Sequence, residues 1–166
     1  GYDQVDRGVI LFKGQPVKIN SPLEAMRNGI GYIPKDRDKE GLFLIYDSTM
    51  NISSGNMKNV SRRALINHKK EKKIAVDSIK RFLIKTPSEA TPVSDLSGGN
   101  RQKVAISKWV VNESEFLIVN SPTRGVDVGA KYEIYKILED LKNQGKGILL
   151  ISDELPELIG MSDRVY

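Results

Sequence analysis

The run Ser97-Gly98-Gly99-Asn100-Arg101-Gln102-Lys103 sets a hydroxyl and two glycines directly ahead of a helix-compatible stretch. That combination suits an anion. Small residues let backbone N–H groups approach a phosphate closely, and a helix that starts there turns its positive end toward it. Ser97 adds a hydroxyl donor. A capped turn uses the same residue types, so the run gains weight only from its downstream sequence. There an apolar stretch, Phe116-Leu117-Ile118-Val119, leads into Asn120-Ser121-Pro122-Thr123-Arg124-Gly125-Val126-Asp127.

Other residues with chemical potential read more blandly. Asp36, Asp38 and Glu40 could suggest an acidic metal loop, but Arg37 and Lys39 interrupt them, and a solvated turn is expected. His68, the single histidine, sits among lysines and is expected on the surface; alone it excludes a multi-histidine metal centre. With no cysteine there is neither a disulfide nor a thiolate site. Trp109 reads as core packing. Asp127 has a second, structural reading as the N-cap of a following helix.

The elements that must hold these residues follow from apolar periodicity and turn chemistry. Val9 to Phe12 and Val17 to Ile19, around Lys13-Gly14-Gln15-Pro16, read as two short strands about a turn. Ser21-Pro22-Leu23-Glu24 starts a helix, with serine as cap, proline at the first position and Glu24 completing a capping box; Gly29 ends it. Ile30 to Ile33 is a strand stopped by Pro34. From about Asp47 to Asp95 polar, basic, helix-compatible sequence forms a separate lobe, closed by Thr86-Pro87 and Thr91-Pro92. After Ser97 a helix carries Val104, Ala105, Ile106, Trp109 and Val110. Ile134, Ile137, Leu138 and Leu141 make an amphipathic stripe, and Ile148 to Ile151 is another apolar strand. Uninterrupted apolar strands joined by helices predict an α/β fold with a parallel sheet covered on both faces.

The 166 residues fit one domain with a real core, and 39% hydrophobic with 28% charged residues is ordinary for a globular chain. No apolar stretch approaches a membrane span and no signal peptide opens the chain, so a soluble, cytosolic protein is expected. The net charge of +5 is concentrated between Met57 and Lys85, where ten basic residues face only Glu71 and Asp77. Such a patch could meet nucleic acid or anionic lipid. No aromatic residue interleaves with the basic ones as far as Arg81, so base stacking lacks support, a solvated helical face is expected, and nucleic acid is disfavoured as a partner.

Taken together the strings resemble an ATP-binding cassette (ABC) of a bacterial sugar-type importer of the ribose/galactose class, and most closely the second of two fused cassettes. Leu96-Ser97-Gly98-Gly99-Asn100 resembles the signature motif, and Phe116 to Asp127 the Walker B strand and D-loop. Ile30 to Arg37 with Glu40-Gly41-Leu42, Pro122 to Lys131, and Glu154 to Glu157 with Gly160 to Arg164 are similar to that subgroup. The resemblance covers nearly the whole chain. It implies a P-loop NTPase-like cassette: a parallel sheet core with a small antiparallel β element (1–46, with the Q-loop), an inserted helical lobe (47–95), and the signature, Walker B, D-loop and switch region (96–166). It also implies ATP and Mg2+ as ligands. The implied partners are a second cassette, membrane permease subunits and, indirectly, a periplasmic-type sugar-binding protein, with the protein held at the cytoplasmic face of the membrane.

Departures from the family pattern are as informative. No Gly-x-x-x-x-Gly-Lys-Ser/Thr occurs, so the P-loop is expected upstream of Gly1 and the chain is read as an internal piece of a cassette. By resemblance Asn120 stands where the family has the magnesium-holding aspartate, and Ser121 where it has the glutamate that polarises water. An amide can still accept a hydrogen bond, so Asn120 is expected to hold the metal weakly through water, but it brings no charge; a serine hydroxyl is no general base at neutral pH. Lys35 occupies the Q-loop position and Asp153 the switch position. Ser97, Gly98, Gly99 and Gln102 match the signature, which in the family closes on ATP held by the opposite cassette; Asp127 matches the D-loop aspartate. The expectation is a cassette that completes a partner's ATP site and hydrolyses poorly at its own, with a non-hydrolysing regulatory cassette and a nucleic-acid-associated one as the alternatives.

Overall fold

The computed structural model describes residues 5–62 and 65–166; Arg63, part of the basic segment, lies outside the described residues, as does the side chain of Arg62. Strands β1 (Ile10–Phe12) and β2 (Gln15–Val17) form the antiparallel hairpin. Its turn places Lys13 and Gly14 at φ of 53° and 73°, the left-handed pair that matches strand twist. Pro16 is tolerated inside β2 because a two-stranded ribbon leaves one edge of each strand unpaired. Helix α1 (Pro22–Arg27) starts as its sequence predicts: Ser21 Oγ accepts from Glu24 N at 3.2 Å, while Glu24 Oε2 reaches back to Asn20 N at 2.7 Å, one residue beyond the cap.

Three parallel strands make the central sheet in the order β3 (Ile30–Ile33), β6 (Phe116–Asn120), β7 (Gly147–Ile151). The register sets Ile33 beside Val119 and Asn120 beside Ile151, which aligns the carboxyl ends of the three strands. Helices α5 (Gly98–Val111) and α6 (Val128–Asn143) belong to the core that buries one face of this sheet, bringing Val104, Ile106, Ile134, Leu138 and Leu141 together with Ile33, Leu117 and Val119. Each such side chain removed from water contributes about 1.5–3 kcal/mol. Trp109 packs against this core, as its position predicts.

The opposite face differs from the expectation of double cover. Tyr32, Leu149 and Ile151 are 43%, 45% and 44% exposed there. Of the hairpin, Phe12 reaches it, packing edge-on against Phe116 with ring centroids 6.5 Å apart. Uninterrupted apolar strands require a second covering layer, and the described residues supply little of it. A cavity of about 800 Å³ lies along β7, lined by Leu149, Ile151, Leu158, Met161 and residues of the chain's last turn.

The lobe is built from α2 (Ser48–Ser53), α3 (Met57–Val60) and α4 (His68–Arg81). It also contains a two-stranded ribbon, β4 (Ser61–Arg62) with β5 (Leu65–Ile66), which helix-compatible sequence does not predict. The buried positions of α4 are Glu71, Ala75 and Ser78, one face of a helix, so Lys69, Lys72, Lys73 and Lys80 lie in solvent. The solvated reading of the basic segment holds for these residues. His68 is exposed too, its Nδ1 3.1 Å from Glu71 Oε2. Helix α7 (Leu155–Met161) closes the described chain, and no described helix is long and apolar enough to cross a membrane.

Candidate functional site

Two sets of predicted residues separate in space. The first is the signature turn. Ser97 is the N-cap of α5 with extended backbone, yet its hydroxyl makes no capping bond to the helix. Its Oγ instead accepts from Asn100 Nδ2 at 2.8 Å, and Asn100 Oδ1 accepts from Lys85 N at 2.8 Å. Because Ser97 Oγ is the acceptor in that bond, its own hydrogen is available to an outside acceptor. Ser97 is exposed, whereas Asn100 is 9% exposed. The turn therefore presents a hydroxyl to solvent on a rigid support.

Both glycines are required by close approach. A Cβ on Gly98 would stand 2.7 Å from Gly125 O and 3.0 Å from Arg37 Nη2. One on Gly99 would stand 2.5 Å from Ala130 Cβ. The signature turn thus sits against the loop after β6 and the start of α6. Gln102 faces the interior, 1% exposed with its Nε2 unpartnered, so it stands behind the turn rather than beside Ser97 at the surface. Asp127 caps α6, its Oδ1 accepting from Ala130 N at 2.9 Å.

The second set lies at the carboxyl edge of the sheet, around a cleft of about 430 Å³. This smaller cavity is lined by Lys35, Ser121 and Asp153, whereas the larger one is the open flank of the sheet. Lys35, two residues past β3, and Asp153, two residues past β7, meet across the cleft with Nζ and Oδ2 2.5 Å apart. The Lys35 ammonium, with Arg124 nearby, holds the Asp153 carboxyl below the ordinary carboxylate range. Between them, Asn120 Oδ1 accepts from Ser121 Oγ at 3.2 Å. Ser121 has φ of 49°, a left-handed conformation that costs a non-glycine residue about 1–3 kcal/mol. Its N–H donates to Ile151 O at 2.7 Å and its carbonyl accepts from Arg124 N at 3.1 Å, which hold it there.

Three contributors escape sequence reading. Arg37, expected in a solvated turn, is 7% exposed. Its Nη1 donates to Arg124 O at 2.7 Å beneath the signature turn, and Asp38 lies against both it and Arg101. Burial holds the Arg37 guanidinium below its ordinary pKa. Of the carboxylates around it, Asp36 caps the turn by accepting from Lys39 N at 3.3 Å, and Glu40 is exposed. Lys103 is 1% exposed, its Nζ donating to Leu83 O at 2.8 Å and pairing with Glu133 Oε2 at 2.5 Å. Glu157, 4% exposed, accepts from Thr123 Oγ1 at 2.8 Å. The charge of each is what points to the surface in sequence, and only the distant partner explains its burial.

The ABC transporter family model matches residues 1–124. The chain belongs to the ABC transporter family. It is 47% identical over 164 residues to the xylose import ATP-binding protein XylG of Geobacillus kaustophilus, covering 99% of this chain and 32% of that protein. It is 44% identical over 165 residues to the ribose import ATP-binding protein RbsA of Bacillus cereus, covering 99% and 33%. The chain therefore spans about a third of the length of these relatives. Among solved structures it superposes on the dimeric post-hydrolysis state of the ATP-binding cassette MJ0796 bound to ADP and Pi, with a TM-score of 0.72 at 18% identity over 93% of this chain and 66% of that one. The P-loop NTPase-like cassette fold follows, with its parallel sheet and small antiparallel sheet.

Proposed function

We propose that this ABC chain forms part of the energy-coupling subunit of a carbohydrate importer. In this reading its signature turn completes the ATP site of a partner cassette while its own strand-edge cleft hydrolyses poorly. The observation that carries it is the contrast between the two sets: an exposed Ser97 hydroxyl on a fixed turn, and a strand end whose residues are Asn120 and Ser121. The carbohydrate is suggested by the names of relatives that import xylose and ribose, and the partner cassette by the dimeric state of the structural neighbour MJ0796.

The roles divide accordingly. Ser97 and Gly98 face the partner's nucleotide, with Gly99 letting the turn pack on α6, Gln102 supporting it from within and Asp127 holding the adjoining helix start. Lys35, Ser121 and Asp153 line the chain's own cleft, with Asn120 beside it at the end of β6. Residues 1–46, 47–95 and 96–166 act as β element, helical lobe and signature-to-switch segment. Permease subunits anchor the assembly at the cytoplasmic face of the membrane, with a sugar-binding protein acting through them. ATP hydrolysis by the assembled protein tests the assignment. Ser97→Arg puts a long cation at the turn and is expected to abolish turnover at the partner's site while leaving nucleotide affinity at this chain's cleft intact. Turnover unchanged by Ser97→Arg would contradict it.

A further inference from the structure

The direction of the Ser97 hydroxyl is set from outside the signature turn. A backbone N–H can only donate, so the Asn100 amide must turn its oxygen toward Lys85 N, which it meets at 2.8 Å. Nδ2 is thereby left facing Ser97, and it donates to Oγ at 2.8 Å. With the amide turned the other way, two donors would meet at Lys85 and the Ser97 hydrogen would point inward to Oδ1. Lys85 lies 15 residues before Asn100, in the stretch that leads out of the helical lobe. Its backbone is itself held in place. Leu83 has φ of 50°, and its carbonyl accepts from the buried Lys103 ammonium at 2.8 Å.

We propose that Asn100 is a positioning residue, oriented by the Lys85 main chain of the lobe, that forces the Ser97 hydrogen outward and so makes this hydroxyl a donor to the partner's nucleotide. The inference rests on the cassette reading above and adds how the lobe governs that turn. Asn100 is 9% exposed with both ends of its amide engaged, so it acts through Ser97 and not by touching the nucleotide. A hydroxyl has one hydrogen and two lone pairs. Ionised phosphate oxygens accept only, so a hydroxyl whose hydrogen is spent inward would present them with lone pairs. Position 100 therefore needs a group that accepts at one end and donates at the other, and an amide does both. A carboxylate of the same shape accepts at both ends and reverses the hydroxyl. Movement of the lobe that draws Lys85 N away from Oδ1 frees the amide to rotate, and the turn then loses its bias toward donation.

The test is a pair of double-mutant cycles in the full-length protein. Asn100→Asp keeps the shape of the side chain and an acceptor for Lys85 N, while its other oxygen takes the Ser97 hydrogen. Turnover at saturating ATP is expected to fall about ten- to hundredfold in Asn100→Asp and in Ser97→Ala, the worth of one charge-assisted hydrogen bond. It falls no further when the two are combined. Urea unfolding without nucleotide reads the reversal itself. Ser97→Ala should shift the midpoint about twice as far in the Asn100→Asp background as in the wild type, because a hydrogen bond to a carboxylate is roughly twice as strong as a neutral one. Turnover losses that multiply in the double variant overturn the inference, since the new carboxylate then acts on ATP by its charge and not through the hydroxyl. Full turnover in Asn100→Asp or in Ser97→Ala, or equal midpoint shifts in the two backgrounds, overturns it as well. Each of these results leaves the cassette reading standing so long as Ser97→Arg abolishes turnover. Turnover unchanged by Ser97→Arg overturns that reading too.

Discussion

A single methyl group at Gly98 tests how tightly the signature turn is seated. In Gly98→Ala the new Cβ would lie 2.7 Å from Gly125 O and 3.0 Å from Arg37 Nη2, both inside the 3.4 Å at which ordinary contact begins. Neither neighbour yields cheaply. One is backbone, and the other belongs to a guanidinium 7% exposed and anchored by its 2.7 Å bond to Arg124 O. Overpacking of this kind costs about 1–3 kcal/mol. Gly160→Ala is the internal control: the residue lies in α7 and its Cβ would meet nothing within 4 Å. Helical Gly→Ala without a clash gains about 0.5–1 kcal/mol. Urea unfolding of the two variants should therefore move the midpoint in opposite directions. Gly98→Ala falls by about 0.5–1.5 M for a slope near 2 kcal/mol/M, with the slope unchanged. A Gly98→Ala midpoint at or above wild type refutes the packing argument, as do two variants that shift together.

Three further variants test buried polar groups and a cap. Lys103→Met removes an ammonium that is 1% exposed and is expected to cost about 1.5–3 kcal/mol in urea unfolding. The same variant changes the acid limb. The Lys103 ammonium holds the Glu133 carboxyl below its ordinary value, so its stabilisation is present above the unfolded pKa of about 4.3 and is lost as pH falls through the lowered folded value. Stability of Lys103→Met against pH should be flatter across that window; an unchanged slope contradicts the pairing. Thr123→Val strips the hydroxyl that donates to the buried Glu157 and should lower stability by about 1–3 kcal/mol, with thermal unfolding as the measure. Asp127→Ala deletes the cap of α6 and should cost about 1 kcal/mol, detectable as faster amide exchange over the helix's first turn at Ala130.

Much of the architecture was legible because it follows from local rules. Apolar runs marked β3, β6 and β7, the serine-proline-glutamate start marked α1, and the stripe Ile134, Ile137, Leu138 and Leu141 marked the buried face of α6. What escaped depends on partners far away in sequence. Lys35 and Asp153 stand 118 residues apart, and only the aligned ends of β3 and β7 bring their charges together. Arg37 looked like the solvated interruption of an acidic loop, but a backbone carbonyl after β6 accepts a hydrogen bond from it and makes burial tolerable. Lys103 has the sequence context of a surface lysine and is held inside by Glu133 and the Leu83 carbonyl. The ribbon of β4 and β5 was hidden by residues compatible with a helix, a case of tertiary context overriding weak propensity. The expected second layer on the sheet rested on apolar continuity, which reports what a strand needs and not which residues provide it.

We propose a division of labour in which the turn at Ser97 serves a partner cassette's nucleotide while the strand edge at Asn120 and Ser121 lacks a general base. It is tested most directly by ATP hydrolysis in the full-length protein after the partner cassette's own nucleotide site has been disabled, leaving this chain's cleft to act alone. Loss of a positioned base costs typically 10²–10⁴-fold in rate, so the predicted residual turnover is at least about a hundredfold below the unmodified protein. Full turnover from the isolated cleft would contradict the account.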